Sequence, residues 1–200
     1  MKTMHILLTN DDGIFAPGLA AIYKYLTRLG KVTVAAPSDV QSGAGHAISL
    51  SEIRCRCVNI EGLFEGYSVD GSPADCVKLA LKKLISNDDP IDLVVSGMNY
   101  GANVGVNIFY SGTVAGAIEA AFYNLPAIAV SAAFDDPMNF EVAANHAFAV
   151  IRQLADLPAS RVVNTLKLLV LRVLVVSVEE KVVNQIIMCG TERRVQPNPC

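Results

Sequence analysis

Three short segments of the chain combine residue types that can carry out chemistry. Residues 10–13, Asn-Asp-Asp-Gly, place two carboxylates in one turn, where both can face the same cation. Residues 38–46 offer hydroxyl groups, flexible glycine amides and one imidazole. Residues 96–113 contain several glycines and end in Ser-Gly-Thr, whose hydroxyls and amides suit a phosphate group at the start of a helix. These residue types indicate a site that binds a metal ion and a phosphate group.

Each segment also has a purely structural interpretation. The first can be an acidic turn in which Asn10 or Asp12 caps the next helix, and the turn alone supports both interpretations about equally. The second can be a turn with a solvent-exposed histidine, His46. The third can be a structural loop, although long polar loops in compact domains usually have a function.

The elements that must position these segments alternate between short apolar runs and helical patterns, as in α/β domains. Strands are predicted over residues 5–8, 32–36, 92–96 and 126–131, a hairpin within 46–70, and helices over 17–29, 73–85, 113–123 and 140–157. Gly30 should end the first helix, and Thr113 should cap the third. In an open parallel sheet, ligands bind at the carboxyl ends of the strands, where all three segments begin.

The composition excludes several classes of protein. Apolar residues make up 52% of the 200 residues and charged residues 18%, which is typical of a folded domain rather than a disordered chain. The net charge of −3 gives no basic surface for nucleic acid. We expect no signal peptide, because too few residues precede the first strand to hold one. The longest apolar stretch, residues 166–178, is interrupted by charges and too short to cross a membrane. With an odd number of irregularly spaced cysteines, we expect a soluble cytoplasmic protein without a membrane partner.

Common motifs of other phosphate-binding and hydrolytic enzymes are absent. No Gly-x-Gly-x-x-Gly follows the first strand, and no Gly-x-x-x-x-Gly-Lys-Ser/Thr occurs. Gly-x-Ser-x-Gly is missing as well. The sequence thus disfavours a Rossmann dehydrogenase, a P-loop NTPase and an α/β-hydrolase.

Four motifs, in their order along the chain, resemble the survival protein SurE family. They lie at residues 7–13, 42–46, 71–75 and 96–113, and the resemblance covers about residues 4–157. It implies a three-layer αβα, Rossmann-like fold with a mainly parallel central sheet. It further implies a metal-dependent phosphomonoesterase that hydrolyses nucleoside 5′- and 3′-monophosphates, and also short polyphosphate. The resemblance also implies one divalent cation, Mg²⁺ or Mn²⁺, as the cofactor. It implies a homodimer or homotetramer as the assembly.

The resemblance also assigns the metal ligands. Position by position, they fall on Asp11, Asp12, Ser42 and Asn99. All four are oxygen donors, which suit a hard cation that keeps several waters. The two carboxylates balance the charge of the ion, and the two neutral ligands leave it able to attract phosphate. In the expected reaction, a water activated by the cation attacks phosphorus.

Four further residues match the segment that lines the phosphate side in the family: Asn103, Ser111, Gly112 and Thr113. Their amides and hydroxyls are expected to stabilise negative charge on the phosphoryl oxygens, so that Asn103, Ser111 and Thr113 join the two aspartates as catalytic residues. Ser111 as a nucleophile is an alternative, ranked second because no base lies near it in sequence. His46 is either a proton donor to the leaving oxygen or a hydrogen-bonded structural residue.

The chain is predicted to divide into a phosphatase domain, residues 1–158, and a C-terminal tail, residues 159–200. Family members usually end in a β-hairpin and an arm that join subunits, and the tail does not resemble that part. Its apolar stretch should form one or two strands that pack on the domain or at a subunit interface. A nucleotide- or phosphate-binding protein without turnover is the alternative function, and a purely structural partner protein is a third.

Overall fold

The computed structural model describes residues 3–60, 62–133, 138–155, 173–178 and 186–188. The strands are β1 (Met4–Thr9), β2 (Gly30–Pro37), β3 (Cys55–Ile60), β4 (Phe64–Val69), β5 (Leu93–Tyr100), β6 (Ala127–Ala132), β7 (Val173–Val178) and β8 (Ile186–Met188). The helices are α1 (Pro17–Leu26), α2 (Pro73–Leu79), α3 (Gly112–Phe122) and α4 (Phe140–Ala155). Of the helices in these ranges, none has the length and apolar character that crossing a bilayer requires.

The strands form one sheet in the order β3-β4-β2-β1-β5-β6-β7-β8. Only the outermost pairs, β3 with β4 and β7 with β8, are antiparallel. The predictions of a mainly parallel sheet and of a hairpin within residues 46–70 are therefore confirmed. β7 pairs in parallel with β6 along its whole length, so the described part of residues 159–200 extends the sheet.

Helices cover both faces of this sheet, which confirms the three-layer architecture. Along β1, successive side chains point to opposite faces, as the pleat of a strand requires. Ile6 and Leu8 pack in a core with α1 and α4, and Leu7 packs in a second core with α2 and α3. Because β1 and its neighbours β2 and β5 run in parallel, their carboxyl ends meet at one edge of the sheet.

The start of α2 is fixed by a capping box. The Ser72 hydroxyl accepts a hydrogen bond from the backbone N–H of Asp75 at 3.1 Å, and the Asp75 carboxylate accepts one from the N–H of Ser72 at 3.0 Å. Pro73 occupies the first helical position, where its missing backbone N–H removes no hydrogen bond within the helix. After Leu79 the helix continues as a π-helical turn, and the segment ends at Ile85, as its sequence pattern predicts.

The predicted role of Gly30 is wrong. Helix α1 ends at Leu26, and Gly30 is the first residue of β2. A Cβ atom at Gly30 would lie only 2.1 Å from the backbone oxygen of Met4, so glycine is needed for the close approach of β1 and β2. The glycine therefore serves strand pairing rather than the end of the helix.

The start of α3 and the end of β5 also differ from the prediction. Ser111, not Thr113, is the N-cap of α3, since its hydroxyl accepts a hydrogen bond from the N–H of Val114 at 3.2 Å. Strand β5 continues past Ser96 to Tyr100, with a shift of its register against β6 between Ser96 and Asn99. The third segment of candidate residues is consequently part strand and part loop.

Candidate functional site

The acidic turn, residues 10–13, directly follows β1 at the carboxyl edge of the sheet. The side-chain amide of Asn10 donates to the backbone oxygen of Gly13 at 2.9 Å and closes the turn, while Gly13 adopts a φ of +96° that favours glycine. Helix α1 begins after Ala16, without a side-chain cap. The turn therefore does not cap α1, and the predicted capping by Asn10 or Asp12 is wrong.

The two carboxylates of the turn lie against different elements. Asp11 is only 3% exposed, and the hydroxyl of Thr113 in α3 donates to its Oδ1. Asp12 is half-buried and accepts a hydrogen bond at Oδ2 from the backbone N–H of Tyr100, at 3.1 Å. A Cβ atom at Gly112 would lie 2.8 Å from the Cβ of Asp11, so the start of α3 meets the turn at a distance that favours glycine.

Burial raises the pKa of Asp11 above the usual range of a carboxyl group, and hydrogen bonds, the one from Thr113 foremost, offset part of this rise. Burial also raises the pKa of Asp12, where the neighbouring charge of Asp11 adds to the rise and the Tyr100 N–H opposes it. Two neighbouring carboxylates, one buried and one half-buried, thus interact unfavourably in their charged forms. A cation between them would stabilise their charged forms.

The loop of residues 38–46 spans the acidic turn and the start of α3. The N–H of Gln41 donates to the backbone oxygen of Asp11 at 2.7 Å, and the N–H of Gly45 donates to that of Tyr110 at 3.0 Å. Ser42 lies between these two anchors and is exposed. Its hydroxyl is therefore held on a short segment that is attached on both sides of the site.

His46, at the end of this loop, binds α3. Its Nε2 lies 2.8 Å from Oε2 of Glu119, and the ring of Phe122 packs at a centroid distance of 5.4 Å. His46 is exposed, as the structural interpretation of this turn expects, although its ring is paired with the buried carboxylate of Glu119. Sequence reasoning missed Glu119, although a single acidic residue within an alanine-rich helix is a usable signal.

The asparagine near the end of β5 and the one that follows this strand differ in their contacts. Asn99 donates from its side-chain amide to the backbone oxygen of Gly101 at 2.6 Å, which orients its carbonyl oxygen as the atom available to a ligand. Asn103 is buried and donates to the hydroxyl of Ser131 at the end of β6, at 2.8 Å. Sequence reasoning missed Ser131, a polar residue that follows four apolar ones in β6.

The oxygen atoms at this edge of the sheet fit a hard divalent cation better than a soft one. In the described ranges, no group of three or more His, Cys, Asp or Glu side chains is placed to hold a metal ion. A cation here would need neutral oxygen ligands or water beside the carboxylates of Asp11 and Asp12. The structure brings these two acids together with Gly112 and Thr113, and it places Ser42 and Asn99 next to residues that contact the turn.

Comparison with known proteins identifies related sequences over most of the chain. Residues 6–195 match the family model described as "Survival protein SurE". The 5′-nucleotidase SurE of Rhodopirellula baltica is 49% identical over 159 residues, which are 79% of this chain and 62% of that protein. The 5′-nucleotidase SurE of Syntrophobacter fumaroxidans is 50% identical over 138 residues, which are 68% of this chain and 54% of that protein.

A solved structure of a SurE protein has a fold similar to that of this chain. The crystal structure of the SurE protein from Aquifex aeolicus superposes with a TM-score of 0.69 at 33% sequence identity, over 86% of this chain and 66% of that one. The matched part of the two curated relatives is only 62% and 54% of their length, so the chain spans little more than half of such proteins. The family match includes most of residues 159–200.

Proposed function

The chain belongs to the survival protein SurE family, and on this premise we propose that it is a metal-dependent phosphomonoesterase. It hydrolyses nucleoside 5′- and 3′-monophosphates to nucleoside and phosphate. Short polyphosphate is a further proposed substrate. The observation that carries the proposal is the contact between the acidic turn and α3, in which Thr113 donates to the buried Asp11. This contact joins two carboxylates suited to a cation with a helix start suited to a phosphate.

One divalent cation, Mg²⁺ or Mn²⁺, is assigned to Asp11, Asp12, Ser42 and Asn99. The support is the closeness of the buried carboxylate of Asp11 and the half-buried one of Asp12, and the orientation of the Asn99 carbonyl oxygen. When bound, the cation supplies positive charge to the phosphate and lowers the pKa of a coordinated water. A second neutral oxygen comes from the exposed hydroxyl of Ser42.

The start of α3 binds and orients the phosphoryl group in this proposal. The amides of Gly112 and Thr113 lie in the first turn of the helix, where the helix dipole favours an anion. Asn103, held by Ser131, stabilises charge on the phosphoryl oxygens. As a nucleophile Ser111 ranks second, because its hydroxyl caps the helix and no side-chain base is hydrogen-bonded to it in the described ranges.

His46 fits a supporting role better than that of a proton donor. Its Nε2 is paired with Glu119, and this pair connects the end of loop 38–46 to α3. Because Ser42 belongs to that loop and the phosphate-binding residues begin α3, the pair fixes the two parts of the site relative to each other. His46 is thus proposed as a positioning residue.

A homodimer or homotetramer in the cytoplasm is the proposed state of the protein. Residues 1–158 form the phosphatase domain, and residues 159–200 add strands to it. The pairing of β7 with β6 supports this role of the tail. The subunit number is accessible from the mass in light scattering.

Hydrolysis of AMP and of p-nitrophenyl phosphate tests the proposed function. With Mg²⁺ or Mn²⁺ present, we expect release of phosphate from both esters. EDTA should abolish the release, and excess Mn²⁺ should restore it. Tight binding of AMP without release of phosphate from either ester would instead favour the alternative, a nucleotide-binding protein without turnover.

Replacing Thr113 by valine should weaken both stability and catalysis. Thr113→Val keeps the shape of the side chain and removes the hydroxyl that donates to Asp11. Losing a hydrogen bond to a buried carboxylate costs about 1.5–3 kcal/mol, and the same loss should reduce kcat/KM about tenfold because Asp11 is no longer oriented. Thr113→Ser retains the hydroxyl and should restore most of the activity. A Thr113→Val protein with a lower melting temperature but unchanged kcat and KM would show a purely structural role.

A further inference from the structure

A cavity of about 640 Å³ borders the candidate active site. Its walls come from residues 38–49, from Arg56 on β3, and from residues 70–75 before and within the first turn of α2. This volume lies within the range of pockets that enclose small organic ligands. None of the described residues that line the cavity is aromatic, so a ligand there must be recognised mainly through polar contacts.

The charged side chains of the wall differ in their partners. Asp75 is fully used by the protein, because it completes the capping box and accepts hydrogen bonds from the N–H and hydroxyl of Ser49, at 3.0 and 2.7 Å. Arg56 and Asp70 are exposed, and neither side chain forms a hydrogen bond or an ion pair with any other part of the chain that the structure describes. Among the charged residues that line the cavity, one guanidinium group and one carboxylate therefore have no partner within the described ranges, whereas Asp39 accepts a hydrogen bond from the hydroxyl of Ser38 at 2.9 Å.

Gln41 connects the cavity to the acidic turn. It lines the cavity, and its backbone N–H donates to the oxygen of Asp11 at 2.7 Å. Its own backbone oxygen would lie 3.3 Å from a Cβ atom at Gly112, so the same residue borders the start of α3. A ligand with its phosphate at α3 can thus extend past Gln41 into the cavity.

We propose that the cavity binds the nucleoside part of a ribonucleoside 5′-monophosphate, with the ribose hydroxyls on Asp70 and the base on Arg56. This inference rests on the proposed function. It assigns to the cavity the nucleoside, which is the leaving group of the proposed hydrolysis. Carboxylates commonly recognise ribose by accepting hydrogen bonds from its hydroxyls. A guanidinium group donates to the acceptor atoms of a base and also stacks on its face. The unpartnered pair in this cavity supplies both interactions.

Binding and kinetics of one variant test the assignment of the ribose. We expect Asp70→Asn to raise the Kd of adenosine and the KM of AMP about tenfold, as loss of one hydrogen bond to a charged group does. Its values for 2′,3′-dideoxyadenosine, for dideoxy-AMP and for p-nitrophenyl phosphate should stay at those of the wild type, because these compounds lack the ribose hydroxyls. Calorimetry gives the Kd values, and steady-state assays give KM and kcat.

Asp88→Asn is the matched control. It removes the same charge from an exposed loop before β5, at the opposite edge of the sheet, and should behave as the wild type. If Asp70→Asn leaves the preference for adenosine over dideoxyadenosine unchanged, the nucleoside site is wrong. If adenosine binds in a manner that depends on Asp70 but no ester is hydrolysed, the proposed function fails and the nucleoside site is retained.

Discussion

Asp11→Asn and Asp12→Asn should each lower kcat/KM for AMP by more than about a hundredfold, which is the upper effect of changing residues that only support metal ligands. Asparagine keeps the size of the side chain and removes the negative charge that a divalent cation requires. Because the pKa of each carboxyl is raised by burial, the folded protein should tolerate the neutral side chain well. We therefore expect both variants to fold and to bind Mn²⁺ weakly.

Two measurements separate this result from a loss of structure. The melting temperature of each variant should stay close to that of the wild type, while calorimetry should show the loss of Mn²⁺ affinity. Asn99→Ala should reduce the affinity less, because a neutral ligand contributes less to the binding of a divalent ion. Wild-type turnover and metal affinity in both aspartate variants would contradict the proposed site.

Ending the chain after Leu157 should cause the second large effect, on solubility and association. This truncation removes β7 and β8, and β6 becomes the edge of the sheet. Every residue of β6 is buried in the intact sheet, and its backbone groups pair with β7 along its length. An apolar strand with unpaired edge groups associates with other chains. Metal affinity should persist in the soluble fraction, since residues 11–113 contain all the proposed ligands and phosphate-binding residues.

A chain that ends after Met188 is the control for this truncation, because it keeps both strands. It should match the full chain in solubility and in the mass measured by light scattering. The shorter chain should precipitate or form larger species at the same concentration. A soluble shorter chain with an unchanged number of subunits would show that β7 and β8 are dispensable.

The order and type of most elements follow from local patterns in the sequence. The buried strands β1, β5 and β6 are short, nearly continuous apolar runs, which is the pattern of strands covered on both faces. Capping residues mark the start of α2, where the side chains of Ser72 and Asp75 each accept a hydrogen bond from the backbone N–H of the other. The motif residues follow strands, and parallel pairing brings the acidic turn and the end of β5 to one edge.

Features that depend on contacts distant in sequence could not be predicted in this way. The extension of β5 to Tyr100 brings an amide to Asp12, and the pairing of His46 with Glu119 spans the loop and α3. Both contacts arise only when the sheet and helices have assembled. Gly30 shows the same limit, since a pattern that is typical of a helix end is also compatible with the close approach of two strands.

The position of the cavity has a consequence for how proteins with the proposed site diverge. Asp11, Asp12 and Asn99 lie at the ends of the central strands, whereas Arg56 and Asp70 belong to the peripheral β3–β4 hairpin and the residue after it. Substitutions of Arg56 and Asp70 change exposed side chains near the margin of the sheet, where the cost in stability is small. Under the proposed assignment, natural variation there can alter the preferred leaving group while the hydrolytic centre stays intact. Substrate specificity can then change by successive substitutions at these positions, with activity retained at each step.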